Sequence, residues 1–244
     1  YNKIHDHNMT NAGEDGIDIK KACYDTPTQN LPYNVIRYNE IYGHTRQTGI
    51  TVQFDSQYVK IYGNNIYGNM RGIWMRGPHN LGYYSTRYVD VYYNSIHNNL
   101  VNGIQINDGF VGDANLYNNT IYGNGSYAGS GAKTGICILE GSNYIVKNNI
   151  LAGNMPASGG TYRSQIYVAS GPQSTTELDY NLYYHPDGPV RIYWDSVYRS
   201  LATLQGTYSQ DINGQENNPH FVSSSDFRLL RGSPAINAGV NVCT

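Results

Sequence analysis

Apolar and polar positions alternate along this chain in two short phrases that recur in fixed order. The first phrase is Gly-Ile-x-apolar-x. It stands at Gly16–Lys20, Gly49–Gln53, Gly72–Arg76, Gly103–Asn107 and Gly135–Leu139, with degenerate copies at Gln165–Ala169 and Pro189–Tyr193. The second is apolar-x-x-Asn-x-apolar, at Ile36…Asn39…Ile41, Ile61…Asn64…Ile66, Val91…Asn94…Ile96, Leu116…Asn119…Ile121, Val146…Asn149…Leu151 and Leu178…Asn181…Tyr183. Copies of the first phrase lie 23 to 33 residues apart, and one Asn phrase falls in each interval. A period of this length marks a solenoid.

Alternation with period two is the signature of a strand with one buried face. A repeat of this length holds two or three such strands and the bends between them. Stacked repeats place equivalent strands side by side and parallel, about 4.8 Å apart. The predicted fold is therefore all-β: a parallel β-helix of about seven turns, filled by Ile, Val and Leu. The recurring Asn then forms a ladder whose amides bond one another and the bent backbone. No long stripe of period 3.6 competes with this reading.

Length and composition agree. The 244 residues suffice for one large solenoid core, with the turns over 1–193 and a capping segment over 194–244. Gly 27, Tyr 25 and only 14% charged residues suit short strands and tight bends. A net charge of −2 gives no footprint for nucleic acid, and no apolar run reaches membrane-spanning length. Trp194 to Tyr208 carries Val197, Leu201 and Leu204 at helical spacing, which predicts a short cap. A bare first turn exposes strand edges, so a cap, self-association or further turns before Tyr1 are expected there. Cys23, Cys137 and Cys243 are odd in number and read as isolated thiols, with one disulfide left open. His5, His7, His44 and His97 lie in turns at no repeated ligand spacing.

Alternation also places the outward side chains of the Gly-Ile phrase in two columns. One reads Asp18, Thr51, Trp74, Gln105, Cys137, Tyr167, Arg191. The other reads Lys20, Gln53, Arg76, Asn107, Leu139, Ala169, Tyr193. Polar and aromatic groups concentrate on the first four turns, and an outward Trp74 beside Arg76 suits a binding face. Trp74 is expected to stack on a sugar ring, with Gln53, Gln105, Asn107, Asp108 and His79 contacting its hydroxyls. The densest chemistry is Glu14-Asp15-Gly16-Ile17-Asp18-Ile19-Lys20. Its carboxylates suit a hard cation such as Ca²⁺, and a Lys of lowered pKa suits proton abstraction. The same spacing also fits a plain surface ion pair between Asp18 and Lys20.

The whole chain resembles right-handed parallel β-helix proteins of the polysaccharide lyase and glycoside hydrolase superfamily. Asn218–Phe221, Asp226–Leu229 and Gly232–Ile236 look like the closing turn of secreted members. Asp15-Gly16-Ile17-Asp18-Ile19-Lys20 looks like the Asp-Gly-x-x-x-Lys stretch of one pectate-lyase family, whose Asp-Asp-Gly motif one turn on is here Gln47-Thr48-Gly49. Met75-Arg76-Gly77-Pro78-His79 resembles a stretch of alginate and chondroitin lyases. The resemblance implies a secreted protein acting on a polysaccharide. Lys20 would be the base, Arg76 would neutralise a uronate carboxylate, and Glu14, Asp15 and Asp18 would hold Ca²⁺. Two rivals stand beside this lyase. One is a hydrolase using carboxylates among Glu14, Asp15, Asp18, Asp55, Asp108 and Glu140. The other is a non-catalytic module that binds glycan or assembles end to end.

Overall fold

The computed structural model describes residues 1–6, 14–22, 33–77, 86–109, 112–127, 133–154 and 164–242. Among them the chain winds as a parallel β-helix with three sheets running along the tube. Sheet A consists of short strands such as Asn65–Tyr67, Ser95–His97 and Thr120–Tyr122. Sheet B carries the Gly-Ile phrases, from Ile17–Lys20 and Thr48–Gln53 through Arg71–Arg76 and Asn102–Asn107 to Ile192–Trp194. Sheet C runs from Asn34–Arg37 to Thr176–Asp179. Each turn visits C, A and B in order. No helix among the described residues is long and apolar enough to cross a membrane.

The core is a set of stacked columns. Ile50, Ile73, Ile104, Ile136, Ile166 and Ile192 pair in register along sheet B, and all are buried. Ile41, Ile66, Ile96, Ile121 and Leu151 do the same along sheet A. The Gly before Ile50, Ile73, Ile104 and Ile136 is needed for close approach. A Cβ on Gly72 would lie 2.5 Å from the Gly103 carbonyl oxygen and 2.6 Å from Ile96 Cγ2. Burying this much aliphatic surface at about 25 cal/mol per Å² is the main favourable contribution to the fold.

The expected Asn ladder is present. Asn64 Nδ2 donates to Asn94 Oδ1, Asn94 to Asn119, Asn119 to Asn149 and Asn149 to Asn181, each at 3.0 Å. The second hydrogen of each amide reaches a core carbonyl, as Asn119 does with Val91 at 2.8 Å. The residue before each ladder Asn is left-handed, with φ 53° at Tyr93, 55° at Asn118 and 57° at Asn148. That conformation costs roughly 1–2 kcal/mol for a non-glycine residue, and the ladder bonds offset it. A second, unanticipated ladder lies five residues on. Asn69 donates to Asn99, Asn99 to Asn124 and Asn124 to Asn154, at 2.9–3.1 Å. The sequence signal was the fixed spacing Asn64/Asn69, Asn94/Asn99, Asn119/Asn124 and Asn149/Asn154.

The C-terminal end departs from the expectation in two places. Ile192, not Val190, pairs with Ile166, and Tyr193 pairs with Tyr167. The outward column therefore ends at Tyr193 rather than Arg191. Val197 belongs to a strand, Val197–Arg199, that folds back antiparallel on Ile192–Trp194 through Asp195 and Ser196, both left-handed. That is the backbone of a two-residue hairpin turn. The helix is Leu201–Tyr208, and its buried Leu201 and Leu204 join Trp194 and Val190 in the core cluster. Ser200 caps it by accepting from the Thr203 amide. Sheet A continues past 193, gaining Gln215–Glu216 beside Leu182–Tyr184.

The first ladder ends on Asp211. A carboxylate accepts and cannot donate, so it suits the last position of a row of donors. It takes the Asn181 amide N–H at 3.1 Å, Asn181 Nδ2 at 3.0 Å and the Tyr183 hydroxyl. Burial nevertheless pushes its carboxyl up to about 6. Between pH 4 and 6 the folded chain keeps a proton that the unfolded chain has shed, so stability falls as pH rises. At about 1.4 kcal/mol per pH unit separating the two states, roughly 3 kcal/mol is lost across this window. Chemical denaturation should show that decline, and Asp211→Asn should flatten it. Carboxyls held low by their partners, such as Glu40 and Asp226, contribute in the opposite sense, and Asp15 and Asp55, raised by burial, add to the decline.

Candidate functional site

The outward side of sheet B brings the sequence-selected residues into register. Asp18, Thr51, Trp74, Gln105, Cys137 and Tyr167 form one column. Lys20 pairs with Gln53, and Arg76 with Asn107. A third column, missed in the sequence, holds Thr48, Arg71 and Asn102, then Thr134 and Ser164. Each lies two residues before the inward Ile and shares its parity, so alternation alone did not place it on this face. These outward positions are not open surface: Thr48, Thr51, Gln53, Asn102, Gln105, Thr134 and Ser164 are buried. Buried polar groups of this kind must bond one another.

Asn102 and Gln105 do so in a network that spans three turns, while among the described residues the hydroxyls of Thr48, Thr51 and Ser164 find no hydrogen-bond partner. Asn102 Oδ1 accepts the Thr134 amide N–H at 2.8 Å, and Asn102 Nδ2 donates to Gln105 Oε1 at 2.9 Å. Arg71 Nε donates to the same oxygen at 2.7 Å. Gln105 Nε2 and Trp74 Nε1 both donate to Asn107 Oδ1. Asn107 Nδ2 reaches Asp108 Oδ1 at 2.9 Å, and Arg76 pairs with Asp108 at 3.2 Å. The guanidiniums of Arg71 and Arg76 lie 4.5 and 4.1 Å from the centre of the Trp74 ring. Trp74 is therefore not the bare sugar platform its sequence position suggested. It is the pivot of a cationic cluster, stabilised by cation–π attraction. Burial holds Arg71 below the usual guanidinium range.

The Glu14–Lys20 stretch is arranged differently from its sequence expectation. Lys20 is half-exposed and pairs with Asp18 at 2.7 Å. The hydrogen bond and the charge of Asp18 push Lys20 above the ordinary lysine value, not below it. Asp18 also accepts from Gln53 Nε2 at 2.8 Å. Asp15 turns away to accept the Thr48 amide at 2.9 Å, and burial pushes its carboxyl up. Glu14 is exposed. Among the described residues no three His, Cys, Asp or Glu side chains come together as a metal site. Of the three carboxylates expected to hold Ca²⁺, Asp15 and Asp18 accept hydrogen bonds from neighbours within the chain and Glu14 is exposed.

Lys20 and Arg76 are two turns apart, about 10 Å along the tube. Of the other carboxylates, Asp55 sits buried in the bend after Thr48–Gln53, with its carboxyl raised by burial. Glu140 accepts the Gly109 amide at 2.6 Å, which sets it one turn from Asp108. His79, Cys23, Cys243 and His7 lie outside the described residues. Cys137 is buried and its thiol is pushed up to about 12 by burial, so it is an inert part of the wall.

Residues 1–151 match the family model described as a right handed beta helix region. No curated protein and no solved structure matches the chain.

The network carries its own test. Gln105→Leu removes the acceptor shared by Arg71 and Asn102 and leaves a buried guanidinium short of a partner. It should cost roughly 2–4 kcal/mol, measured by denaturant unfolding. Gln105→Glu, which restores the acceptor with a charge, should recover most of that loss.

Proposed function

Because the chain belongs to the right-handed β-helix family, we propose that sheet B is the working face of a carbohydrate-active solenoid that cleaves a uronate-containing polysaccharide by β-elimination. The observation that carries the reading is the cluster of Arg71 and Arg76 around Trp74, fixed by Gln105, Asn107 and Asp108. Two cations held in place by a buried network suit a carboxylate-bearing chain laid along the tube. A polymer of this kind does not enter a cell intact, so the reading places the protein outside it.

In this reading Arg76, with Arg71 behind it, draws charge from the uronate carboxylate and acidifies the adjacent C5 proton. Lys20 takes that proton, the electron pair forms the C4–C5 double bond, and the C4–O bond breaks with its pair. Lys20 acts only after losing its own proton, and Asp18 opposes that loss. Turnover is therefore expected to rise with pH into the alkaline range as Lys20 deprotonates. Asp18→Asn should move the rise to lower pH and speed the reaction near neutrality.

The test is a screen of pectate, alginate and glycosaminoglycans, reading ultraviolet absorbance and reducing ends together across pH. Absorbance that vanishes in Lys20→Ala supports the assignment. Turnover retained in Lys20→Ala, or a flat pH profile, overturns it. Reducing ends without absorbance would favour a hydrolase built on Asp108 and Glu140, the two carboxylates that Gly109 places one turn apart. Retained binding with neither product would leave a glycan-binding module.

A further inference from the structure

A second concavity lies on a different corner of the tube, where sheet A turns toward sheet B. Its volume is about 320 Å³, within the size range of small-ligand sites. Its origin is visible in two columns. On sheet A the outward position is aromatic for five turns, at His5, Tyr42, Tyr67, His97 and Tyr122, becomes Ala152, and is aromatic again at Tyr184. At the next position the chain has Gly123 and Gly153, with no side chain at either turn. The hollow opens where the aromatic row is interrupted. Its wall is Tyr122, whose ring would lie 3.6 Å from a Cβ placed on Gly153. The far side is His185, Pro186 and Asp187, and Ser224 comes from the C-terminal segment. That segment is pinned here by Phe221 and Phe227, which pack against Tyr122.

The polar groups are set for hydroxyls. Asn98 Nδ2 is engaged with His97 Nδ1, so its Oδ1, which stands over Gly123, is the acceptor presented to the hollow. The Asp187 amide donates to His185 Nδ1 at 3.1 Å and orders that turn. The Asp187 carboxylate and Ser224 hydroxyl are on exposed residues at the rim. Among the described residues no Lys or Arg lines the hollow. An aromatic wall, an amide oxygen, a carboxylate and a hydroxyl together match a sugar ring, which is apolar on its faces and polar at its edge. The negative rim disfavours a uronate.

We propose that this hollow is a binding subsite for a single neutral sugar ring, stacked on Tyr122 with its hydroxyls on Asn98, Asp187 and Ser224. It is independent of the cationic face on sheet B and selects the opposite charge class.

The experiment is isothermal titration of the full chain with methyl glucoside, methyl galactoside and methyl mannoside, and with glucuronate as the charged control. Saturable binding of at least one neutral glycoside is expected, with glucuronate weaker by about tenfold or more as a competitor for that bound glycoside. Ser224→Tyr fills the hollow from an exposed position and should abolish the binding. Asp187→Lys, on an exposed turn, should weaken the neutral sugar and admit glucuronate. Lys20→Ala should leave the neutral glycoside's affinity unchanged, which separates this site from the cleavage reading. The proposal falls if no neutral glycoside saturates, if glucuronate displaces the bound neutral glycoside as well as another neutral glycoside does, or if Ser224→Tyr and Asp187→Lys both bind the neutral glycoside like wild type while remaining folded.

Discussion

Every turn of this solenoid has to present the same backbone path to the turns on either side, and the asparagine-to-asparagine hydrogen bond enforces that repetition. Parallel strands alone do not. A slip of one residue would keep the strand hydrogen bonds but send each Ile outward. Asn prevents the slip because its amide satisfies three groups at once: the next Asn, a core carbonyl and the backbone N–H of the preceding ladder residue. Two such rows, one on each side of the short sheet A strands, clamp the corner from both ends. Left-handed residues before the first row are tolerated because the ladder fixes the bend they make.

Register, once locked, repeats whatever side chain each turn places outside. On sheet A, His5, Tyr42, Tyr67 and His97 stack with ring centres 4.8–5.0 Å apart. On sheet C, Tyr62, Tyr92 and Tyr117 do the same at 4.8–4.9 Å. These spacings are those of neighbouring strands. The many Tyr residues, which invite a reading as a sticky surface, spend their ring faces on one another. His97, inside its row, is pushed down to about 4 by burial and stays neutral. The hollow beside Tyr122 arises where such a row is interrupted.

The same logic separates the two chemistries of sheet B. At the Lys20 end, Lys20 has Asp18 as an immediate partner of opposite sign, which keeps it protonated. On the middle turns, two guanidiniums gather on one indole, and the nearby carboxylate of Asp108 faces only one of them directly. The excess of positive charge is local and held by uncharged amides, so it remains available to an anionic ligand.

What the sequence determined by itself was the solenoid. Each turn repeats a local rule, Gly-Ile-x-apolar or apolar-x-x-Asn, and repetition turns local alternation into a parallel tube and an outward list. That list held Trp74, Arg76, Gln105 and Asn107 together correctly, but a step of alternation back from Trp74 lands on Gly72 and passes over Arg71. Tertiary structure decided how those groups are spent. Whether Lys20 is low or high in pKa depends on where Asp18 points. Whether Glu14, Asp15 and Asp18 converge depends on the Thr48 amide one turn away. Whether the register holds at Ile192 depends on the hairpin and helix that close the tube. Whether Tyr122 borders a hollow depends on Ala152 and Gly153 one turn on and on Ser224 about a hundred residues later. These are contacts between turns, and a period read along one strand carries no information about them.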